Sequence, residues 1–227
     1  LCDNNKDDAV VWDDAEIYTN TAVWSIDKTA DHYEWKVGED VEYTVVVENT
    51  VDGTIARDVV ISDTNMPEGL ALNEGEDAIT VEGIPETYIN KIAGTVDPSN
   101  ELNPDNYNET EEVPIESEML REGTGWKLTI SNLPAKTPVK ITFKCQATEE
   151  ANGKESVNKA TVTADNFELV EDDAEVYVNT ANLKLTKSVI NNYLDKNDNR
   201  LPNEFRVGET VEYQVKVENL REGSIAR

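Results

Sequence analysis

Three polar residues stand where a β-strand should carry a core side chain. The apolar alternation that begins at Trp24 ends on Lys28, and the one that begins at Val59 ends on Asp63. Asn158 likewise stands in the apolar phase of its own strand-like segment. Because successive side chains of a strand point to opposite faces, these patterns predict that an amine, a carboxyl and a carboxamide point into the same core.

A buried lysine beside a buried carboxyl supports two interpretations. In the first, Lys28 and Asp63 form an ion pair, and Asn158 satisfies the remaining hydrogen bonds. In the second, an intramolecular isopeptide bond forms, because burial lowers the pKa of Lys28 and raises that of Asp63. The neutral amine then attacks the Asn158 carboxamide, while protonated Asp63 polarises the carboxamide and passes a proton to the departing ammonia. Strand phase alone does not separate the two.

The elements that must position these residues are predicted to be strands. Alternation of period two recurs along the chain between turns rich in Asn, Asp, Gly and Pro, and no segment has a convincing helical period. Short strands joined in this way predict an all-β protein with an immunoglobulin-like β-sandwich. The alternating segments are Val41–Val47, Val59–Ile61, Trp126–Ile130, Val139–Phe143, Val157–Val162 and Val176–Val178.

The same sequence pattern occurs twice in the chain. Lys28 recurs as Lys187, 159 residues later, and Val37-Gly38-Glu39 recurs as Val207-Gly208-Glu209, 170 residues later. The difference in offset is an insertion of 11 residues in the second copy. A period this long indicates tandem domains, not a solenoid of short units.

These copies define the expected domain organisation. We expect residues 1–20 to contain the last strands of a preceding repeat, 21–178 to form one complete repeat and 179–227 to supply the first strands of the next. Residues 73–122, which are acidic and rich in Asn and Pro, are expected to be a long insertion in the complete repeat. Lys187 is then the cross-linking lysine of the following repeat.

Composition narrows the possible functions. The formal net charge of −27 argues against nucleic acid and anionic membrane surfaces as partners, and suits an extracellular polymer. Cys2 and Cys145 fall in different repeats and form no disulfide framework. The single histidine, His32, lies in a polar stretch without a nucleophile motif. We therefore expect no enzyme, beyond one autocatalytic turnover that forms the isopeptide bond.

Calcium is the only cofactor with a pattern to consider. Asp195, Asn197 and Asn199 place side-chain oxygens at alternate positions, as calcium loops do. Arg200 and Arg206 stand where such loops carry glycine and glutamate, so the pattern favours a polar turn over a metal site.

Several blocks of the sequence together resemble a known family. They are Val37–Val45, Val59–Thr64, Pro67–Leu70, Gly125–Pro134 and Val157–Val162. The chain is similar, over most of residues 21–178, to the isopeptide-forming fimbrial and adhesin repeats (Cna/pilin-type β-sandwiches) of Gram-positive surface proteins.

The resemblance implies a role for each of the three residues. It makes Lys28 the nucleophile, Asn158 the acceptor and Asp63 the catalytic acid. The family also contains repeats without the bond. Residues 73–122 depart from the short repeats of the family, and this departure leaves Asp58 and Glu48 as alternative acids.

The function expected from the resemblance is structural. The chain is expected to be a stalk repeat of a secreted, cell-wall-anchored adhesin or pilus-like protein, with neighbouring repeats of the same polypeptide as partners. One alternative is a binding module that contacts a host protein or glycan through residues 73–122. Another is a spacer domain of a secreted carbohydrate-active enzyme.

Overall fold

The computed structural model describes residues 20–92, 109–165, 167–190 and 204–227, and these residues form strands, turns and one 3-10 turn at Glu76–Ala78. The all-β prediction is confirmed. No helix within these ranges is long and apolar enough to cross a membrane. The strands are β1 (Trp24–Ala30), β2 (Glu34–Trp35), β3 (Asp40–Asn49), β4 (Ile55–Asp63), β5 (Leu70–Leu72), β6 (Ile79–Glu82), β7 (Thr87–Ile92), β8 (Glu109–Pro114), β9 (Ser117–Glu122), β10 (Gly125–Pro134), β11 (Val139–Ala147), β12 (Glu155–Thr163), β13 (Val170–Val178), β14 (Leu183–Ile190) and β15 (Glu212–Asn219).

Two sheets form the sandwich. The first has the order β1-β3-β11-β5, and β6 also pairs with β11; the second has the order β2-β13-β12-β4-β10-β9. All of these pairs are antiparallel except β13 with β2. Buried residues of both sheets belong to one hydrophobic core. The predicted β-sandwich is therefore confirmed.

Strand β3 shows why the sequence folds in this way. Val41, Tyr43, Val45 and Val47 are fully buried, and the residues between them are only partly buried. Burying each such side chain contributes about 1.5–3 kcal/mol. A shift of the strand register by one residue would expose all four side chains, so the alternation fixes which face of β3 meets the opposite sheet.

The acidic segment 73–122 belongs to the sandwich at both of its ends. Strand β6 pairs with β11 and strand β9 pairs with β10, and Val81 and Met119 pack against the core. Among the described residues of this segment, β7 and β8 form a separate two-stranded sheet, and a bond from Ile115 N to Glu86 O closes its base. Part of the expected insertion therefore belongs to the sandwich, which the acidic, Asn- and Pro-rich composition of the segment did not indicate.

The second copy of the sequence pattern forms a hairpin of β14 and β15. Lys187 lies opposite Val215, as Lys28 lies opposite Val45, and the two hairpins pair with the same register throughout. The apolar face of this hairpin is exposed: Leu185 retains 68% of its accessible surface and Val217 retains 60%. Residues 1–19, in which the end of a preceding repeat was expected, lie outside the described residues.

Candidate functional site

Three strands bring Lys28, Asp63 and Asn158 together in the sandwich core. Lys28 lies on β1 in one sheet, whereas Asp63 ends β4 and Asn158 lies on the neighbouring β12 in the other sheet. Their exposed fractions are 3%, 1% and 0%. The amine, the carboxyl and the carboxamide are thus enclosed between the sheets, as their strand phases predict.

The Lys28 amine and the Asp63 carboxyl are in direct contact. Lys28 Nζ lies 2.5 Å from Asp63 Oδ2, and neither side chain is accessible to solvent. The backbone N–H of Lys28 donates to Asp172 Oδ2 on β13 at 2.7 Å. This second bond ties β1 to the opposite sheet, so the position of the amine is fixed at the backbone as well as at its tip.

Asn158 is the third member of the group, in which two buried side-chain oxygens lack a hydrogen-bond donor in the part of the chain that the structure describes. Its Nδ2 lies 3.8 Å from the Met66 sulfur, and within the described residues neither Asn158 Oδ1 nor Asp63 Oδ1 has a hydrogen-bond partner. Leaving a buried oxygen without a partner costs about 1–3 kcal/mol. The Asn158 carboxamide favours the charged form of Asp63, but desolvation outweighs this effect and raises the pKa of the carboxyl.

Aromatic rings surround the amine. Lys28 Nζ lies 5.2 Å from the centroid of the Tyr43 ring and 5.4 Å from that of Phe143. These two rings stack on each other, and Trp126 meets Phe143 edge-on. The rings exclude water from the amine, and their faces attract its charged form through cation–π interactions.

Burial favours the neutral forms of both Lys28 and Asp63. Desolvation lowers the pKa of Lys28, and the attraction of Asp63 only partly offsets it. Desolvation likewise raises the pKa of Asp63, against the opposing effects of Lys28 and Asn158. The same apolar surroundings raise the pKa of the Cys145 thiol to about 12, so this thiol stays protonated, with its sulfur 3.3 Å from the sulfur of Met66.

The other candidate residues lie elsewhere. Asp58 is exposed, and Glu48 pairs with Lys136 at 3.9 Å, so of the three candidate acids only Asp63 contacts Lys28. Lys187 is exposed on β14, with its Nζ 4.5 Å from the centroid of the Tyr213 ring.

The calcium pattern falls in a part of the chain that the structure does not describe. Asp195, Asn197 and Asn199 lie between residues 191 and 203, outside the described ranges. Elsewhere, in the described residues, no group of three or more His, Cys, Asp or Glu side chains could hold a metal ion.

Sequence reasoning missed the residues that surround the site. Tyr43 and Phe143 stand in the buried phase of β3 and β11, and this phase could have identified them as neighbours of the amine. Met66 follows β4 in a loop, where no periodicity indicates its contact with Asn158.

Comparison with known proteins shows a distant similarity to surface proteins of bacteria. The pilus backbone RrgB from Streptococcus pneumoniae is 19% identical with a TM-score of 0.41, over 63% of this chain and 31% of that one. The major pilin subunit BcpA of Bacillus cereus is 15% identical with a TM-score of 0.36, over 72% of this chain and 42% of that one.

A third similar structure is a subdomain. The collagen-binding subdomain of the Enterococcus faecalis surface protein ACE is 13% identical with a TM-score of 0.34, over 72% of this chain and 99% of that one. This chain therefore spans less than half of the two pilus proteins but nearly all of the collagen-binding subdomain. No protein-family model matches the chain, and no curated protein matches it.

Proposed function

We propose that this chain is a stalk segment of a bacterial cell-surface adhesin or pilus-like protein, whose complete repeat is cross-linked by an isopeptide bond between Lys28 and Asn158. The observation that carries the proposal is the buried group of Lys28, Asp63 and Asn158 that joins the two sheets. The distant similarity to pilins and an adhesin agrees with this function but does not carry it.

The proposed reaction exchanges one amide for another. The lone pair of neutral Lys28 Nζ attacks Asn158 Cγ, and the carbonyl oxygen takes a hydrogen bond from protonated Asp63 as its charge develops. Asp63 then transfers the proton released by the amine to Asn158 Nδ2, and ammonia leaves. The net change is one new Nζ–Cγ bond for one broken Cγ–Nδ2 bond, with no oxidant, metal or other reactant.

The apolar surroundings favour the bond over a persistent ion pair. The direction of both pKa shifts favours a neutral amine beside a neutral acid, which is the state that the reaction needs. An ion pair would leave Asp63 Oδ1 and Asn158 Oδ1 without donors among the described residues. Protonation of Asp63 would supply a donor in this pocket, which could then activate the carboxamide oxygen.

The cross-link would suit a protein under tension. It joins residues that are 130 positions apart and connects the first strand of one sheet to β12 of the other. By analogy with a disulfide that closes a loop of about this length, it stabilises the fold by about 4–5 kcal/mol. Force that enters at β1 would pass through the bond to β12 without loading the strands between them.

The proposed location is the bacterial cell surface, with neighbouring repeats of the same polypeptide as partners. A net charge of −27 keeps such an array dissolved and extended outside the cell. In each complete repeat, one covalent bond between side chains would stabilise the fold in place of a disulfide framework.

The decisive test compares Lys28→Ala with Lys187→Ala, each beside the wild type. We expect the wild type and Lys187→Ala to be lighter than their sequence masses by about 17 Da, one ammonia, and Lys28→Ala to have its full sequence mass. In urea, Lys28→Ala should lose at least about 4–5 kcal/mol of unfolding free energy, since the cross-link is lost.

Lys187→Ala is the matched control, because it removes the same residue type from the same register in the second copy. It should change the unfolding free energy by less than about 0.5 kcal/mol. A full sequence mass for the wild-type chain would reject the isopeptide bond and leave Lys28 and Asp63 as a buried ion pair.

A further inference from the structure

The end of the sandwich contacts the turn of the second copy. On the sandwich side lie the loop at residues 149–153, the end of β13 and the short strand β2; on the other side lies the turn at residues 220–227. Residues 179 and 180 connect the two sides, and we call this region the joint. The contacts across it are specific and involve the backbone of both sides.

Two glycines meet at the centre of the joint. Gly153 and Gly223 have φ angles of 79° and 78°, a conformation that L side chains rarely adopt. A Cβ added at Gly223 would lie 2.4 Å from Gly153 O, and one added at Gly153 would lie 2.5 Å from Glu222 O. The two backbones are therefore so close that neither position has room for a side chain.

Hydrogen bonds fix the joint on both sides of the glycines. Asn179 is buried, and it receives a bond from Ile225 N at 2.7 Å while its Nδ2 donates to Glu34 at 2.7 Å. The Tyr177 hydroxyl donates to the carbonyl of Gly223. Asn179 thus holds the strand end of one repeat and the turn of the next in a single arrangement.

Charges across the joint are complementary. The guanidinium of Arg221 donates to the carbonyls of Glu149, at 2.5 Å, and of Asn152, at 3.3 Å, and Arg227 pairs with Glu34 at 2.7 Å. Arg221 has no counterpart in the first copy, where Val51 stands at the equivalent position. The arginine is therefore not needed to fold this turn, and its contacts are with the neighbouring repeat.

We propose that this surface is a rigid docking site for the next repeat of the same chain, which holds consecutive repeats in one orientation. Relative motion is the ordinary expectation for domains joined by a short linker and a small interface. Here the two glycines allow the backbones to approach closely, and the bonds of Asn179, Tyr177 and Arg221 would break if the hairpin turned away. This inference does not depend on the isopeptide bond.

Backbone 15N relaxation of the whole 227-residue chain tests the proposal. In the wild type, the amides of β14 and β15 should have order parameters of about 0.85, equal to those of the sandwich strands. In Gly223→Ala, whose Cβ must displace Gly153, the order parameters of β14 and β15 should fall below about 0.6. A wild-type hairpin that already shows such low values would overturn the proposal.

The matched control is Gly53→Ala. Gly53 is the equivalent turn residue of the first copy, with a φ of 74°, and a Cβ added there meets nothing within 4 Å. It carries the same backbone strain without the steric conflict, so the hairpin should stay ordered. Equal order parameters in the two variants would overturn the proposal.

A second variant is needed if Gly223→Ala unfolds the hairpin itself, which loss of cross-strand NOEs between β14 and β15 would reveal. The double variant Tyr177→Phe/Arg221→Val removes side-chain bonds across the joint and leaves both glycines in place. A drop in the order parameters with the NOEs intact supports the joint, and unchanged order parameters overturn it.

Discussion

The two hairpins of this chain have the same strand register but lie in different surroundings. In β1–β3 and in β14–β15, a lysine lies opposite a valine in the same register and sits over the ring of a tyrosine. Yet Lys28 is buried beside Asp63, whereas Lys187 is exposed.

The comparison separates the features that a hairpin forms by itself from those that require the opposite sheet. The strand pair alone sets the register and the position of the lysine over the aromatic ring. The opposite sheet supplies what the proposed reaction would require: desolvation that lowers the pKa of Lys28, the acid Asp63 and the carboxamide Asn158. In the proposed reaction, the hairpin alone would therefore position the lysine, and the lysine would become reactive only when the sandwich closes.

The largest expected effect comes from completing the second copy. Appending residues 58–178 after Arg227 continues the repeat in register, because Arg227 is the equivalent of Arg57. The added sheet would bury Lys187 and supply its acid and carboxamide. We expect intact mass to show a second loss of about 17 Da, and the new domain to gain about 4–5 kcal/mol over its uncross-linked form.

The control for this extension replaces the appended copy of Asn158 with alanine. The extended chain should then lose only one ammonia. Loss of two from this control would show that another residue accepts the amine, and loss of one from the unmutated extension would mean that the hairpin does not hold Lys187 in the reactive position.

We expect a somewhat smaller difference in unfolding free energy between the variants Tyr43→Ala and Tyr213→Ala. Tyr43 is fully buried among the residues of the core, so its removal should cost about 3–5 kcal/mol in urea unfolding of the sandwich. Tyr213 has the same position in the exposed hairpin, and its removal should change that free energy by less than about 0.5 kcal/mol. Equal losses of unfolding free energy in the two variants would contradict the conclusion that the opposite sheet, and not the hairpin itself, makes the tyrosine important for stability.

The smallest expected difference in unfolding free energy is between variants of the two equivalent turns, one after β3 and one after β15. Asn49 Nδ2 donates to Thr54 Oγ1 at 3.0 Å, and Asn219 Nδ2 donates to Ser224 Oγ at the same distance. Asn49 is fully buried, so Asn49→Ala should cost about 1–3 kcal/mol, because the hydroxyl and carbonyl oxygens of buried Thr54 lose the Asn49 donor. Asn219→Ala, at an exposed position, should stay within about 0.5 kcal/mol by the same urea titration.

Alternation along each strand was enough to predict much of the fold. Because β-structure has a period of two, the buried face of β3, β4, β10, β11 and β12 can be recognised in the sequence, and the three polar residues in that phase are buried in the structure. The pairing of strands was not predictable in the same way. It depends on contacts between distant segments, such as β6 with β11 and β4 with β12, which local patterns do not encode.

The surroundings of the site were harder to predict than its members. The unpartnered oxygens of Asp63 and Asn158 depend on how two sheets meet, and the contact with Met66 depends on the path of a loop. The repeat revealed that the two hairpins correspond. It gave no sign that Gly223 would contact Gly153, because that contact exists only between neighbouring copies.

The contact between Gly153 and Gly223 has a consequence for the length of an array. The end-to-end distance of a flexibly jointed chain grows only with the square root of the number of its units. When every joint repeats one fixed rotation, the array follows a straight or helical path, and its reach grows in direct proportion to the number of repeats. Duplication or loss of a repeat in the gene would then lengthen or shorten the protein by a constant increment.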